Sequence, residues 1–518
     1  MHNITRILLP LAAGIVTLTS CRQDAALSIK EMVQSTRDNY YQTIQPVTPA
    51  QADQTITIDP SATAQTIKGF GTCFNELGWA SLKILPEQTL KEIFAELYEP
   101  GKGANFNRAR MSIGANDFAL DYYSCDDTDN DFELKDFSIE RDKETLIPMM
   151  KHALSANPDI YWFASPWCPP RWMKKTKHYA ERAMTQQMID RMKQAADNAN
   201  KKRGSQPGEE GGVSATSGFF SDDPLAFRMD PQQNDAKPNE EGVEGQTSFN
   251  MKPEYLDAYA RYFGKFVDAY KTEGIDIKMV MPQNEPNSAQ PYPACCWLSR
   301  DLNIFVGQYL GPEMAKRGVD VYFGTCERPD PAKIDTLLQD PKSSKYVKGV
   351  GFQWAGKEAL PTIYKNYSGI DLVESEQECG NGKNNWEGAM HSWDLQREYF
   401  ANGVTQYYYW NTSLFYERPS RWGWYQNSLV TVNEEDKTWT FTPEYYELKH
   451  LSHFVITGAK KLVLGGSYNE ALGFVNPDGS IVLIIGNQDD VDANIVLQLG
   501  KESLNVTIPA GTLNTIVL

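Results

Sequence analysis

The chain has 518 residues, a hydrophobic share of 41% and a formal net charge of −17. That length supports one large domain with a smaller one beside it, while the charge argues against a nucleic-acid partner, which needs clustered Lys and Arg. The six His residues form no H-E-x-x-H pair, and no Gly-rich phosphate loop occurs, so no metal or other cofactor is expected.

In chain order, the opening "MHNITRILLPLAAGIVTLTSC" reads as a targeting segment. It has a weakly basic start, an apolar run too short for a permanent span, and small residues before Cys21. The ending "LTSC" resembles a bacterial lipobox, which predicts lipidation of Cys21 and a membrane-anchored lipoprotein, periplasmic or at the cell surface. An ordinary secretory signal is the alternative. The other seven Cys include no CxxC and read mostly as buried thiols. Residues 22–52 read as a tether with room for one short helix. Residues 53–66 alternate like a strand pair around a Pro-containing turn and are expected to join the later β region.

Eight β-rich runs follow: 67–74, 104–113, 159–167, 275–283, 319–326, 347–354, 370–376 and 404–411. The segments between them, such as "LPEQTLKEIFAELY", carry apolar residues at helical spacing. Eight β/α units predict an α/β fold, a (β/α)8 TIM barrel over 67–444, with a doubly wound open sheet as the alternative. Residues 199–250 interrupt the series with a polar, Gly- and Glu-rich insertion. It reads either as a lid or specificity loop or as a tolerated insertion. From 445 to 518 short strands alternate with Gly, Asn and Asp turns, the pattern of an attached β-sandwich.

The chemistry concentrates where barrel strands end, since working residues of such barrels project from there. Glu285 closes the fourth run in "MPQNEPNSA". Read alone, that stretch is an ordinary strand cap and turn. At the end of the seventh run Glu374, Glu376 and Glu378 stand at i, i+2 and i+4, which puts all three on one face of an extended strand. Spacing does not choose among them. Two carboxylates across a barrel mouth suit retaining glycoside hydrolysis, with carboxyl groups ~5–5.5 Å apart. The surplus of Trp and Tyr suits a carbohydrate site, where flat rings cover sugar faces.

Six stretches in order carry a resemblance to glycoside hydrolase family 30: "KGFGTCFNE" (68–76), the long run 110–139 from "RMSIGANDF", "FASPWCPPRWMK" (163–174), "PQNEP" (282–286), "ESEQECG" (374–380) and "YYYWNTSL" (407–414). The likeness spans about 67–515. It implies Glu285 as acid/base, Asn284 as the amide on the sugar 2-hydroxyl, and Glu376 as nucleophile. In the family the nucleophile stands four residues before a Gly, here Gly380. It places Glu76 where the family often has a sugar-gripping Asp, and Trp167 and Trp410 along the subsite of the cleaved sugar. Asp117 is either a structural carboxylate or a sugar ligand. The chain departs from lysosomal-type relatives after the sixth run, where their His-Trp-Tyr is "QWA", so Gln353 cannot titrate and Ala355 opens space. The expected partner is a carbohydrate, with β-1,6-glucan leading over β-glucosides, β-xylosides and β-fucosides, acted on by a monomer. A glycan-binding lipoprotein without catalysis is a separate reading that predicts loss of one carboxylate, and both are present.

Overall fold

The computed structural model describes residues 27–187, 189–190 and 234–518. The leader with Cys21, and residues 199–233 of the insertion, lie outside them.

Eight parallel strands close into a barrel: Gly69–Phe74, Arg108–Ser112, Tyr161–Ser165, Ile277–Val280, Asp320–Cys326, Val347–Gln353, Asp371–Gln377 and Val404–Tyr409. Seven lie within the β-rich runs, and the seventh strand passes the end of its run by one residue, Gln377. Closure is made where the eighth strand pairs with the first, Gln406 opposite Gly69 and Tyr409 opposite Thr72. These strands are buried along nearly their whole length. That is why most read as continuous apolar or aromatic runs rather than alternating ones, with Arg108–Ser112 and Asp371–Gln377 as polar exceptions. Gly71 has no room for a side chain, since a Cβ there would lie 1.9 Å from the Arg108 carbonyl oxygen.

The smaller domain is two packed sheets. One holds seven strands, the other four, and Ile56, Leu483, Ile485, Ile495, Leu497, Val506 and Ile516 fill the space between them. Residues 54–58 pair in parallel with Ala493–Leu499, and Thr63–Thr66 pairs with Lys460–Leu462. The tether reading of 22–52 is corrected. Glu31–Thr36 is a sandwich strand, paired over six positions with Thr512–Val517 and burying Met32 and Val33. The short "EMVQST" run lacks the length that would mark it as a strand, and its partner lies almost five hundred residues away. The C-terminal boundary also moves. Pro443–Ser452 is a helix, started by a proline at its first turn, and the C-terminal sandwich strands begin at Lys460.

The described end of the insertion, 234–250, is tied down. A fully buried ion pair joins Lys174 to Glu181 at 2.8 Å, and the Ser248 hydroxyl donates to Glu181 at 2.8 Å. Asn234 donates to the Pro291 carbonyl at 2.9 Å, so this limb rests on the loop that follows Glu285. All seven described Cys are buried free thiols.

Candidate active site

Beyond the fourth strand the chain stays stitched between its neighbours. Met281 donates its backbone N–H to Ala164, Asn284 to Pro166 and Gln283 to Gly324. This delivers Glu285 to the C-terminal mouth of the barrel. Its φ is 46°, a left-handed conformation that a non-glycine residue adopts only when its surroundings impose it. The imposing contacts are local: Glu285 N–H donates to Thr325 Oγ1 at 3.2 Å, and its carbonyl accepts from Ser288 N–H at 3.2 Å.

Glu376 arrives differently, from within the seventh strand, opposite Gln353 of the sixth. Arg110 of the second strand donates from Nη1 to Glu376 Oε2 at 2.7 Å, and from Nη2 to Asn284 Oδ1 at 2.8 Å. Thr325 Oγ1 also donates to Asn284 Oδ1 at 2.8 Å. The Asn284 oxygen is thus spent on protein donors, which turns its NH2 away from them. Gln353 Nε2 donates to Glu285 Oε1 at 3.2 Å and to Asn284 Oδ1 at 3.3 Å. Its side chain also hydrogen-bonds Glu376, so a single neutral amide joins both carboxylates. A His at this position would add a charge that titrates with them.

The two carboxyls differ electrostatically. Burial pushes Glu285 well above the usual carboxylate range, and the charges of Glu376, Glu327 and Asp117 push it further. Burial also raises Glu376, but Arg110 opposes this by charge and by hydrogen bond. Glu285 has no such cation: its second oxygen accepts from the Tyr292 hydroxyl at 3.4 Å. Both carboxyls are raised, and the guanidinium beside Glu376 makes it the easier of the two to ionise.

Trp167 and Trp410 stack with ring centroids 5.3 Å apart. The Arg110 guanidinium lies 4.5 Å and 5.4 Å from their centroids, a cation–π contact that fixes the arginine as well as the rings. Asp117 is buried and hydrogen-bonded by Trp167, and burial first, then the Glu376 charge, raises its carboxyl well above the ordinary value. Asp117 Oδ1 and Trp410 Nε1 are buried without a partner among the described residues. Orphaned polar atoms of this kind are unusual and suit hydroxyls of a ligand.

The remaining expected residues separate. Glu374, Glu376 and Glu378 do not share one environment. Glu374 is fully buried and accepts from the Tyr408 backbone N–H at 2.8 Å. Glu378 lies past the strand end and pairs with Lys357 at 2.6 Å. Burial raises Glu378, but His391 and Lys357 outweigh it and hold its carboxyl below the ordinary value. Strict alternation fails because the register shifts between Glu374 and Gln377 and the strand then ends. Glu76 is corrected too. Arg141 grips both its oxygens at 2.9 Å, and the Leu120 N–H donates to one of them at 2.7 Å. It braces the loop 117–123 where a sugar contact was expected.

Sequence reasoning missed Arg110, Thr325, Tyr292 and Glu327. Arg110 carried a signal, because an arginine in the middle of a buried strand demands a partner. Thr325 stands near the end of the fifth strand, and Tyr292 and Glu327 are brought in by loops.

Comparison with known proteins bears on the family and the fold. The model of the glycosyl hydrolase family 30 TIM-barrel domain matches residues 67–196 and 236–455, and that of the family 30 beta sandwich domain matches 458–516. Lysosomal acid glucosylceramidase of Mus musculus is 25% identical, over 85% of this chain and 79% of the relative. Endo-1,6-beta-D-glucanase BGN16.3 of Trichoderma harzianum is 22% identical, over 91% of this chain and 88% of the relative. The solved structure of the endo-beta1,6-glucanase BT3312 superposes with a TM-score of 0.73 at 22% identity, over 94% of this chain and 99% of that one.

Proposed function

Since the chain belongs to glycosyl hydrolase family 30 and is a glycoside hydrolase, we propose that it cleaves β-glucosidic bonds of a β-1,6-glucan with retention of configuration. The observation that carries this reading is the division of labour between two buried carboxylates. Glu376 meets a guanidinium, and among the described residues the Glu285 carboxyl meets amide, phenol and acid groups. In the reading, Glu376 attacks the anomeric carbon while Glu285 protonates the departing oxygen. A glycosyl ester on Glu376 forms, and Glu285 then takes a proton from the water that breaks it. Asn284, with its oxygen held by Arg110 and Thr325, offers its NH2 to the 2-hydroxyl. Trp167, Trp410, Asp117 and Gln353 line the subsite of the cleaved sugar.

The linkage is supported by likeness to two endo-1,6-glucanases, one by sequence and one by structure. The neutral Gln353 and small Ala355 weigh against a lysosomal-type glucosylceramide pocket. We further propose that Cys21 is lipidated and tethers the enzyme to a bacterial membrane; mass spectrometry of the mature N-terminus tests this. The functional test is incubation of residues 27–518 with linear β-1,6-glucan, with Glu376→Gln as blank. A ladder of oligosaccharides absent from the blank is expected. Glucose alone points to exo action, and cleavage only of β-xylosides or β-fucosides replaces the substrate while keeping the mechanism.

A further inference from the structure

Glu327 follows the fifth strand directly and is buried, with 2% of its surface exposed. Its Oε1 accepts the Asn287 backbone N–H at 2.9 Å and the Ser288 hydroxyl at 3.2 Å. Its Oε2 is buried with no partner among the described residues. The same turn is held from other sides. Arg328 donates to the Asn287 carbonyl at 3.0 Å, Lys333 to Asn287 Oδ1 at 2.9 Å, and the Ala289 N–H to Glu244 at 3.1 Å. All these contacts converge on the residues just after Glu285, whose own N–H is bound by Thr325, two positions before Glu327.

A carboxylate is a costly choice for pinning a turn. An asparagine or glutamine could accept the same two hydrogen bonds without burying a charge. The charge therefore needs a reason. We propose that Glu327 is a positioning residue for the acid/base: it pins the turn Glu285–Ser288 and places a second negative charge beside it. This rests on the reading of Glu285 as acid/base. The charge makes ionised Glu285 less favourable, so the proton stays on Glu285 until the leaving oxygen takes it.

The surroundings make the effect specific. Glu285 is faced by Glu376 and Asp117 from one side, by the Tyr292 phenol, and by Glu327. Arg110 offsets Glu376, which it contacts directly. Glu327 is faced by Arg328, whose Nε lies 3.9 Å away, and by the Cys326 thiol, with Lys333 farther out. Burial raises the Glu327 carboxyl, and Arg328 is the cation that opposes this and helps to keep it ionised.

The test is the pH dependence of kcat/KM for the β-glycoside that the parent enzyme cleaves. Glu327→Gln keeps the acceptor oxygen and removes the charge. Its alkaline limb should fall to lower pH by about half a unit or more, with the rate at lower pH retained. Arg328→Gln removes the cation that helps to keep Glu327 ionised and should move the limb the same way, by a few tenths of a unit. It is partly exposed, so it remains informative if Glu327→Gln folds poorly. A merely structural role lowers the rate at all pH and moves neither limb; coincident alkaline limbs in parent and both variants overturn the proposal. The underlying reading fails separately. A Glu285→Gln enzyme that cleaves polymer like the parent removes the acid assignment, whereas an inactive Glu285→Gln with an unmoved limb in Glu327→Gln removes only the role of Glu327.

Discussion

Glu376 and Glu285 occupy the same end of one barrel, are both buried, and differ in almost everything else. Glu376 belongs to a regular strand and accepts a hydrogen bond from a buried arginine at 2.7 Å. Glu285 stands on an irregular turn at φ 46°, away from any cation and among acidic neighbours. Burial raises both carboxyls; the neighbours decide how much. The strand suits a group that must be aimed at one atom, and the turn suits one that must be surrounded by chosen charges. The proposed retaining mechanism would use both properties at once.

The contrast is broken most severely by Glu376→Gln. Turnover should fall by roughly 10³-fold or more, since in the proposed mechanism the covalent ester forms on Glu376. Circular dichroism should remain that of the parent, and comparable residual turnover would dismiss Glu376 as nucleophile.

Glu285→Gln should lower polymer cleavage by roughly 10²–10⁴-fold while sparing aryl glycosides with activated leaving groups, which need little protonation. The sign of its pH effect follows from the raised carboxyl. With Glu285 as the acid, the parent should lose activity as pH rises and Glu285 gives up its proton, and the variant should lose that alkaline limb. Equal losses on both substrates would count against the acid role.

Arg110→Met attacks the contrast itself. Without the guanidinium, Glu376 resists ionisation, so the acidic limb of kcat/KM should move to higher pH by about one unit or more. Removing one member of a buried pair should also destabilise the fold by about 3–5 kcal/mol, read from denaturant unfolding. An unmoved acidic limb would mean that Arg110 does not set the charge state of Glu376.

Glu76→Gln should have the smallest effect on catalysis. Weakening the grip of Arg141 should cost about 1–3 kcal/mol of stability while kcat/KM stays within about threefold. A rise in KM of about tenfold or more would restore the sugar contact and give the barrel mouth a third functional carboxylate.

Much of this arrangement was legible before any coordinates. The eight barrel strands were visible because most are buried on both faces and so read as compact apolar or aromatic runs. Glu285 and the trio Glu374, Glu376 and Glu378 could be placed near strand ends, but only the family resemblance singled out Glu376 among the three. The failures share a cause. Glu31–Thr36 is a short strand whose partner is at the far end of the chain, and pairing over that distance leaves no local trace. The grip of Arg141 on Glu76, and of Glu327 on the turn after Glu285, join segments that sequence spacing does not relate.

By itself the sequence determined the elements and the chemical types: which runs form strands, which strands end in carboxylates, and that no charged ring titrates at Gln353. Those follow from local periodicity and residue identity. Only the tertiary structure decided which carboxylate meets Arg110, which three acids crowd Glu285, and which of Glu374, Glu376 and Glu378 stays on the working face. These are matters of barrel closure and strand register, and an electrostatic environment is a sum over neighbours in space.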